Sequence, residues 1–285
     1  MATQRIQDLV FTLYGEYLLD RPDPVWVGAL ISLLQPFGVS EGAVRTGLSR
    51  MSRKGWLEAR RWGRNSFYDL SPRGRGLLEE GKARIFHPTW KHEWDGEWFL
   101  LAYSIPEDVR HLRDRLRDRL AWLGFGSLGN GLWISPHDVE SEVAALSDAL
   151  EISQHIECFR ARRIGGQETA SLVAKCWDLP AVSARYREFI GRWEAELERC
   201  SLGVESGAVT GVECYVLRFD LIHEFRVFPL EDPYLPESLL PSDWAGEEAT
   251  RLFHGLHDVL AGPADGYVDH VLADSPTIGS PTEAV

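Results

Sequence analysis

The chain has 285 residues, of which 44% are hydrophobic and 26% are charged, a composition typical of a globular protein with two or three domains. Its formal net charge of −13 discourages loose association with nucleic acid over most of the surface, and no apolar run approaches the roughly 18 residues of a membrane span. The start is amphipathic with acids inside it, unlike a signal sequence, so we expect a cytoplasmic protein.

The N-terminal segment predicts three helices in succession. Apolar side chains at helical spacing indicate an amphipathic helix over 4–19, which the motif RPDP interrupts, and an apolar helix follows over 25–37. Ser40 is a suitable N-cap for a third helix. The buried stripe of that helix consists of apolar residues at i, i+4 and i+7: Val44, Leu48 and Met51.

A short hairpin follows the third helix. Two strands are predicted over 56–61 and 66–70, with the letters WGRN at their turn, and a further helix closes the unit near residue 86. Helix, turn, helix and hairpin in this order is the pattern of a winged helix-turn-helix.

The next segment predicts a β-α-β-β-α-β order, which is that of a ferredoxin-like fold. The predicted strands are 97–104, 125–128, 131–135 and 154–161, and the predicted helices are 107–123 and 138–149.

The remainder is mostly helical and ends in a small, polar, acidic tail. We therefore predict an α+β multidomain protein. Its parts are a winged helix over 1–86, a ferredoxin-like domain over 87–165, a helical domain over 166–262 and a flexible tail over 263–285.

Positive charge is concentrated near the third helix. The first 86 residues hold 13 Lys and Arg against 9 Asp and Glu, whereas the rest of the chain holds 17 against 34. Seven bases and one acid lie between positions 45 and 64. A local basic surface can bind a polyanion whatever the total charge, because screening limits its range to about 10 Å.

The side chains opposite the buried stripe suit DNA, because Arg and Lys neutralise phosphates, hydroxyls donate to phosphate oxygens, and Arg also reads guanine edges. The hairpin tip adds cationic and amide groups that can reach a backbone or a minor groove. The predicted DNA-binding residues are Arg45, Thr46, Ser49, Arg50, Arg53, Lys54, Arg61, Arg64 and Asn65.

The remaining charged and metal-ligand-like motifs are better explained as structural features than as binding sites. The arginines of 110–120 alternate with aspartates at spacings that allow ion pairs within one helix. His254, His257 and Asp258 are weak evidence for a metal because no third ligand segment is evident, and the four cysteines contain no CxxC pair. No hydrolase, phosphate-loop or zinc-protease motif occurs, so we predict no catalytic residue, metal or cofactor.

Several long stretches resemble the phenylacetic-acid degradation operon repressor (PaaX) family. They are LYGEYL, the run from VWVGALISLLQPF through SFYDLSPRG, CWDLPAVSARYREF and DPYLPESLLPSDWAG. The similarity extends over about 9–260 in the same order, so it is specific to this family rather than to winged helices in general.

The resemblance implies a homodimeric transcriptional regulator, usually a repressor of aromatic catabolism, that binds an inverted repeat in double-stranded DNA. It also implies release by an aryl-CoA thioester such as phenylacetyl-CoA, with the middle domain used for dimerisation and the helical domain for the effector. An acyl-CoA needs cationic groups for its phosphates and an apolar pocket for its acyl end. The candidate effector residues are Trp177, Tyr186, Arg187, His223 and Arg226.

Two alternatives remain at this stage. The middle domain is similar to CRISPR-associated endoribonucleases, whose first strand ends in a metal-binding aspartate, but here Ser104 and Ile105 occupy that place and a metal-dependent nuclease is disfavoured. In the other alternative, the basic helix binds a structured RNA or an acidic partner instead of DNA.

Overall fold

The computed structural model describes residues 2–86, 93–165 and 168–276. The chain divides into two compact units that do not follow the order of the sequence. The first unit combines Met1–Phe86 with Phe189–Arg226 and Glu248–Val285, and the second combines His87–Glu188 with Val227–Glu247. The predicted helical domain over 166–262 therefore contributes to both units.

The N-terminal part of the first unit contains four helices and a small sheet. Its elements are α1 (Ala2–Leu13), a π-helical turn (Tyr14–Leu18), β1 (Val25–Trp26), α2 (Val27–Leu34) with a 3-10 turn (Gln35–Phe37), α3 (Glu41–Arg53), β2 (Leu57–Trp62), β3 (Asn65–Leu70) and α4 (Pro72–Phe86). The sheet is antiparallel in the order β1-β3-β2. The predicted hairpin is present, and β1 was missed because a two-residue strand has no alternation to detect.

The first unit is completed by long helices from the C-terminal half: α8 (Leu179–Ser206, from residue 189 onward), α9 (Gly211–Phe225) and α11 (Gly246–Ala273, from residue 248 onward). The Tyr215 hydroxyl on α9 donates to the carbonyl oxygen of Leu33 at 2.6 Å. The ring of Phe219 lies 4.0 Å from that of Phe37. The N-terminal helices and α9 therefore share one core.

The second unit is an α+β layer. Its elements are β4 (Trp98–Tyr103), a 3-10 turn (Glu107–Val109), α5 (Arg110–Trp122), β5 (Gly126–Gly129), β6 (Leu132–Ser135), α6 (Glu140–Ala149), a 3-10 turn (Ser153–His155), β7 (Ile156–Ala161), α7 (Thr169–Cys176), the start of α8, α10 (Phe228–Glu231) and a 3-10 turn (Glu237–Leu239). Its four strands are antiparallel in the order β5-β6-β4-β7. One core cluster lies between the strands and α5 and α6, and includes Leu101, Leu116 and Val143.

The prediction of a flexible tail over 263–285 is wrong for residues 263–273, which are helical. Helix α11 continues through Pro263 to Ala273, whereas the sequence had suggested an end near residue 262. Leu256, Leu260, Ala264 and Val268 are all fully buried at four-residue spacing, so packing of this stripe maintains the helix beyond the proline. The last nine residues of the predicted tail lie outside the described residues.

Among the described residues, no single helix is both long enough and apolar enough to cross a membrane. Within the same residues, one pair of helices is long and apolar enough for a span when its members are counted together across a bend of 118°. The pair is Val27–Phe37 and Glu41–Arg53.

Candidate nucleic-acid interface

Helix α3 is fixed in the first unit by one narrow face. The Ser40 hydroxyl accepts a hydrogen bond from the Ala43 amide at 3.4 Å and caps the first turn. Val44, Leu48 and Met51 are at most 1% exposed, as the periodicity predicted. The opposite face of α3 is consequently presented to solvent.

A glycine permits the close approach of α1 to α3. A Cβ atom at Gly47 would lie only 2.3 Å from Cγ2 of Ile6, so a larger residue would require the Ile6 side chain or α1 to move. The sequence pattern gave no reason to place Gly47 in the contact, because glycine carries no hydrophobic signal. The absence of a side chain at Gly47 thus allows α3 to pack closely against Ile6 of α1.

The exposed face of α3 carries the predicted basic and hydroxyl residues. Its exposed side chains are Arg45, Thr46, Ser49, Arg50 and Arg53, followed by Lys54 at the C-cap. All six therefore lie on or next to one accessible face of a single helix. The positions and exposure suit contact with a groove and its flanking phosphates.

Some of these groups have local partners. Arg45 forms an ion pair with Glu41 at 2.8 Å, and the Lys54 ammonium donates to the amide oxygen of Gln7 at 3.3 Å. The Thr46 hydroxyl donates to the Gly42 carbonyl at 2.8 Å. Exposed pairs of this kind contribute about 0–1 kcal/mol, so a phosphate can replace the partner at little cost. Sequence reasoning missed the role of Glu41 as a partner, although its i,i+4 spacing to Arg45 was visible.

The β2–β3 hairpin forms a second basic element. Gly63 adopts φ 58° at the turn, a conformation that favours glycine, and the adjacent Arg64 is exposed. Arg61 is exposed on β2, and Asn65 is half-buried at the start of β3. The Trp62 ring contacts the buried Phe67 edge-on at 5.2 Å, which anchors the end of the hairpin.

Three arginines of this surface have no carboxylate partner. Within 2–86, 93–165 and 168–276, no hydrogen bond or ion pair involves the guanidinium groups of Arg53, Arg61 or Arg64. Arg60 differs, because it contacts Glu58 at 3.5 Å. Unpaired cations near one another attract a polyanion more strongly than ion-paired ones.

Three of the five predicted effector residues lie in the second unit. Trp177 stacks near Trp98 at 6.3 Å and donates from its indole to the Gly124 carbonyl at 3.3 Å. Tyr186 is 1% exposed, and its hydroxyl donates to the carboxylate of Asp232 at 2.8 Å. Burial raises the pKa of Tyr186 well above its ordinary value, and the Asp232 charge adds to the rise. Tyr186 is therefore a core residue with a buried hydrogen bond.

The third residue in this unit, Arg187, is exposed and binds Asp243 through both its backbone carbonyl and its carboxylate, at 2.7 and 2.6 Å. Exposed ion pairs of this kind are weak, so the partner can be exchanged for a ligand at little cost.

The other two predicted effector residues belong to the first unit. His223 contacts the Thr12 hydroxyl at 2.8 Å, and Arg226 lies 3.9 Å from Asp8. Burial lowers the pKa of Arg226, and the charge of Asp8 partly opposes this effect. Both residues connect α9 and its C-cap to α1. They are thus placed with the N-terminal helices rather than with Trp177 and Tyr186.

The described part of the second unit includes an open groove and a smaller cavity. The groove, of about 1070 Å³, is lined by Trp94, Trp244, residues 235–238 and 240–242, Glu93 and Glu247. A smaller one of about 290 Å³ has a mainly apolar lining. The smaller cavity is lined by Trp177, Asp178, Leu179, Ala181, Val182, Arg185, Glu231 and Pro233. Of these two, the smaller cavity includes a predicted effector residue, Trp177.

The described residues contain no group of three or more His, Cys, Asp and Glu that could hold a metal ion. His257 instead contacts the Glu16 carboxylate at 2.8 Å. Ser104, where a nuclease would carry an acid, follows β4 and donates its amide to the His155 carbonyl at 2.9 Å. These contacts are structural.

Comparison with known proteins finds three family models that match successive parts of the chain between residues 5 and 270. A model described as PaaX-like protein matches residues 5–74, one described as PaaX protein central Cas2-like domain matches 91–173, and one described as PaaX-like protein C-terminal domain matches 177–270. The transcriptional repressor PaaX of Escherichia coli (strain K12) is 34% identical over 263 residues, which are 91% of this chain and 82% of that protein.

A solved structure is also similar. The uncharacterized protein Rv0674 from Mycobacterium tuberculosis matches with a TM-score of 0.57 and 25% identity, over 92% of this chain and 96% of that one.

Proposed function

This chain belongs to the PaaX family and is a transcriptional repressor rather than an enzyme, and we propose that it holds operator DNA with the exposed face of α3 and with the β2–β3 hairpin. In this proposal residues 1–86 form a winged helix-turn-helix, with α3 as the recognition helix. Support comes from the order of elements and from the 118° bend between α2 with its 3-10 turn and α3, within the range typical of helix-turn-helix units.

One observation carries the proposal: the unpaired arginines Arg53, Arg61 and Arg64 lie on α3 and on the hairpin that directly follows it, in one compact unit. The rest of the chain is strongly acidic, so this basic segment is the part suited to phosphates.

We further propose that the second unit contains a ferredoxin-like dimerisation domain, so that a symmetric homodimer reads an inverted repeat. The strand order β5-β6-β4-β7 and the match to a Cas2-like domain model support this assignment. Two-fold symmetry requires half-sites separated by about 10 bp or a multiple of it. Such a dimer acts in the cytoplasm, where the operator lies.

The test of DNA binding begins with a duplex selected by the full-length protein from a random pool. Arg50→Ala should lose about 1–3 kcal/mol of affinity for this duplex, because an arginine on the recognition helix contacts bases or phosphates. Arg117→Ala on α5 removes the same charge from another exposed helix and should leave affinity unchanged. Gel-shift titration measures both, and an RNA competitor of the same sequence tests the alternative ligand. Equal affinities for wild type and Arg50→Ala would remove α3 from the recognition role.

For the effector we propose an aryl-CoA thioester such as phenylacetyl-CoA, acting on genes of aromatic catabolism. The apolar cavity that includes Trp177 is of a size to take an aryl group, and Arg185 lies at the same cavity in an ion pair with Glu231. These features support a site for the acyl end.

Phenylacetyl-CoA should weaken binding to the selected duplex, whereas free phenylacetate should not, because it lacks the CoA phosphates. Trp177→Ala should reduce the response to phenylacetyl-CoA about tenfold or more while leaving DNA affinity unchanged, since Trp177 lies outside the DNA-binding surface. Anisotropy titrations with and without each compound measure this. An unaltered response in Trp177→Ala would exclude this cavity, and no response of the wild type to any aryl-CoA would exclude the effector class.

A further inference from the structure

A buried cluster of charged side chains joins the N-terminal helices of the first unit to α9 and α11. Glu16 lies in the π-helical turn after α1, and its side chain is 3% exposed. Arg218 on α9 and His257 on α11 have side chains 9% and 12% exposed, and the fourth member, Asp265 on α11, is half exposed. Turns of π-helix are rare and often occur at functional sites.

The contacts within this cluster are short and directional. Arg218 Nε lies 2.8 Å from Oε1 of Glu16, and its Nη1 donates to Oδ1 of Asp265 at 2.7 Å. His257 Nε2 lies 2.8 Å from the same oxygen of Glu16 and 3.2 Å from Arg218 Nε. Arg218 Nε donates its hydrogen bond to Nε2 of His257, and the same guanidinium forms the ion pair with the Glu16 carboxylate. The Arg218 guanidinium also lies 5.2 Å from the ring centre of Tyr17.

A buried cluster of charges adds little net stability, and in some proteins it instead specifies one arrangement of helices. Removing charges from water opposes much of their attraction, and the interaction is favourable only when every hydrogen bond has good geometry. The aromatic contact between Tyr17 and Tyr215, at 5.2 Å, tolerates small sliding movements. The ion pair of Glu16 does not, since a shift of the helix would separate a buried carboxylate from the guanidinium of Arg218.

We propose that Arg218 is a positioning residue for DNA recognition: acting through Glu16, it fixes α1 and the recognition helix in one orientation against α9 and α11. The path to the DNA-binding surface is direct, because α1 packs against α3 at Ile6 and Gly47. This inference rests on the proposed function, since it assumes that a dimer reads two half-sites with α3.

A fixed orientation has a measurable consequence. If each recognition helix is rigidly placed, the dimer tolerates only one separation of half-sites, because each change of one base pair moves and rotates the second half-site. If the recognition helix can pivot, several separations bind almost equally. The cluster therefore determines how sharply affinity depends on half-site spacing, and not how tightly one half-site is bound.

The experiment uses the full-length protein and the duplex that the wild type selects from a random pool. Two sets of probes are derived from it: a single half-site, and inverted repeats whose spacing changes one base pair at a time. The variant Glu16→Met with Arg218→Met replaces the buried charges with apolar side chains and leaves neither charge alone. We expect the wild type to lose about tenfold or more in affinity away from its best spacing, and the double variant to lose about threefold, with equal half-site affinity.

Asp269→Asn is the matched control. Asp269 on α11 pairs with Arg21, just beyond the π-helical turn, at 2.6 Å, but the two side chains are 63% and 34% exposed. This ion pair connects the same two parts of the first unit but is exposed to solvent and therefore weak. Its loss should leave the spacing profile as in the wild type. Asp265→Asn is a milder variant of the cluster itself, because it removes one partner of Arg218 that is already half exposed, and it should give an intermediate profile.

The outcomes separate the two proposals. A flatter profile in the double variant, or in Asp265→Asn if the double variant does not fold, with unchanged half-site affinity, supports the positioning role. A profile that coincides with that of the wild type overturns it while leaving DNA binding intact. Failure of the wild type to select any duplex overturns the proposed function, and the positioning role with it.

Discussion

Two arginines of the hairpin differ in whether a carboxylate is close to them. Arg60 on β2 contacts Glu58 at 3.5 Å, whereas the exposed Arg64 at the turn has no hydrogen-bond or ion-pair partner in the part of the chain that the structure describes. A free guanidinium releases counterions when it binds a phosphate, and one that is already paired releases fewer. Arg60 and Arg64 carry the same charge, but only the guanidinium of Arg64 can bind a phosphate without first losing a carboxylate partner.

We expect Arg64→Ala to weaken binding about equally for specific and unrelated duplexes and to lower the slope of log K against log salt by about 1, because a phosphate contact carries no sequence information. Arg60→Ala, which removes the same charge from the same hairpin, should change the slope less. Anisotropy titrations over a range of salt concentrations measure both. Equal slopes for the wild type and Arg64→Ala would show that the turn does not contact the backbone.

At the scale of elements, a single glycine, Gly74, allows α4 to pack closely against the loop before β2. A Cβ atom at Gly74 would lie 2.2 Å from the carbonyl oxygen of Trp56, a backbone atom that cannot move away easily. Gly76, two residues later in the same helix, is exposed, and a Cβ atom there would have no neighbouring atom within 4 Å. The two glycines therefore have opposite roles in one helix.

Gly74→Ala should lower the free energy of unfolding by about 1–3 kcal/mol, because the clash forces α4 away from Trp56. Gly76→Ala should raise it by about 0.5–1 kcal/mol, since alanine loses less backbone entropy in a helix. Thermal or urea unfolding of the full chain measures both changes. A neutral Gly74→Ala would mean that α4 can shift without loss.

Local periodicity predicted α3 well, because its buried stripe repeats at helical spacing, and the turn letters WGRN between two short runs indicated the hairpin. It did not reveal β1, whose two residues form a strand only by pairing with Phe67 and Tyr68. Nor did it reveal the role of Glu16, an acid within an apolar run whose partners lie about 200 residues further on. The exposed face of α3 follows from the pattern, but the buried cluster behind it depends on tertiary contacts.

At the scale of the whole molecule, the sequence suggested parts in series and the structure has two units with interleaved segments. The reason is visible in single contacts. Tyr215 and Leu33, 182 residues apart, form a buried hydrogen bond, and the Tyr17 hydroxyl contacts the Tyr215 carbonyl at 3.4 Å. Periodicity describes what each segment buries but not which distant segment covers it. The N-terminal helices and α9 therefore share a core that neither segment could complete alone.

This shared core makes a prediction about the isolated N-terminal segment. Residues 1–86 alone lack Tyr215 and Phe219, which cover Leu33 and Phe37, so the fragment would expose apolar surface and leave the Leu33 carbonyl without its donor. We expect the fragment to unfold without a cooperative thermal transition, or to show one well below that of the full chain. Circular dichroism and amide NMR dispersion measure this, with the full chain as control. A fragment that melts cooperatively at the temperature of the full chain would show that α9 and α11 are dispensable for its core.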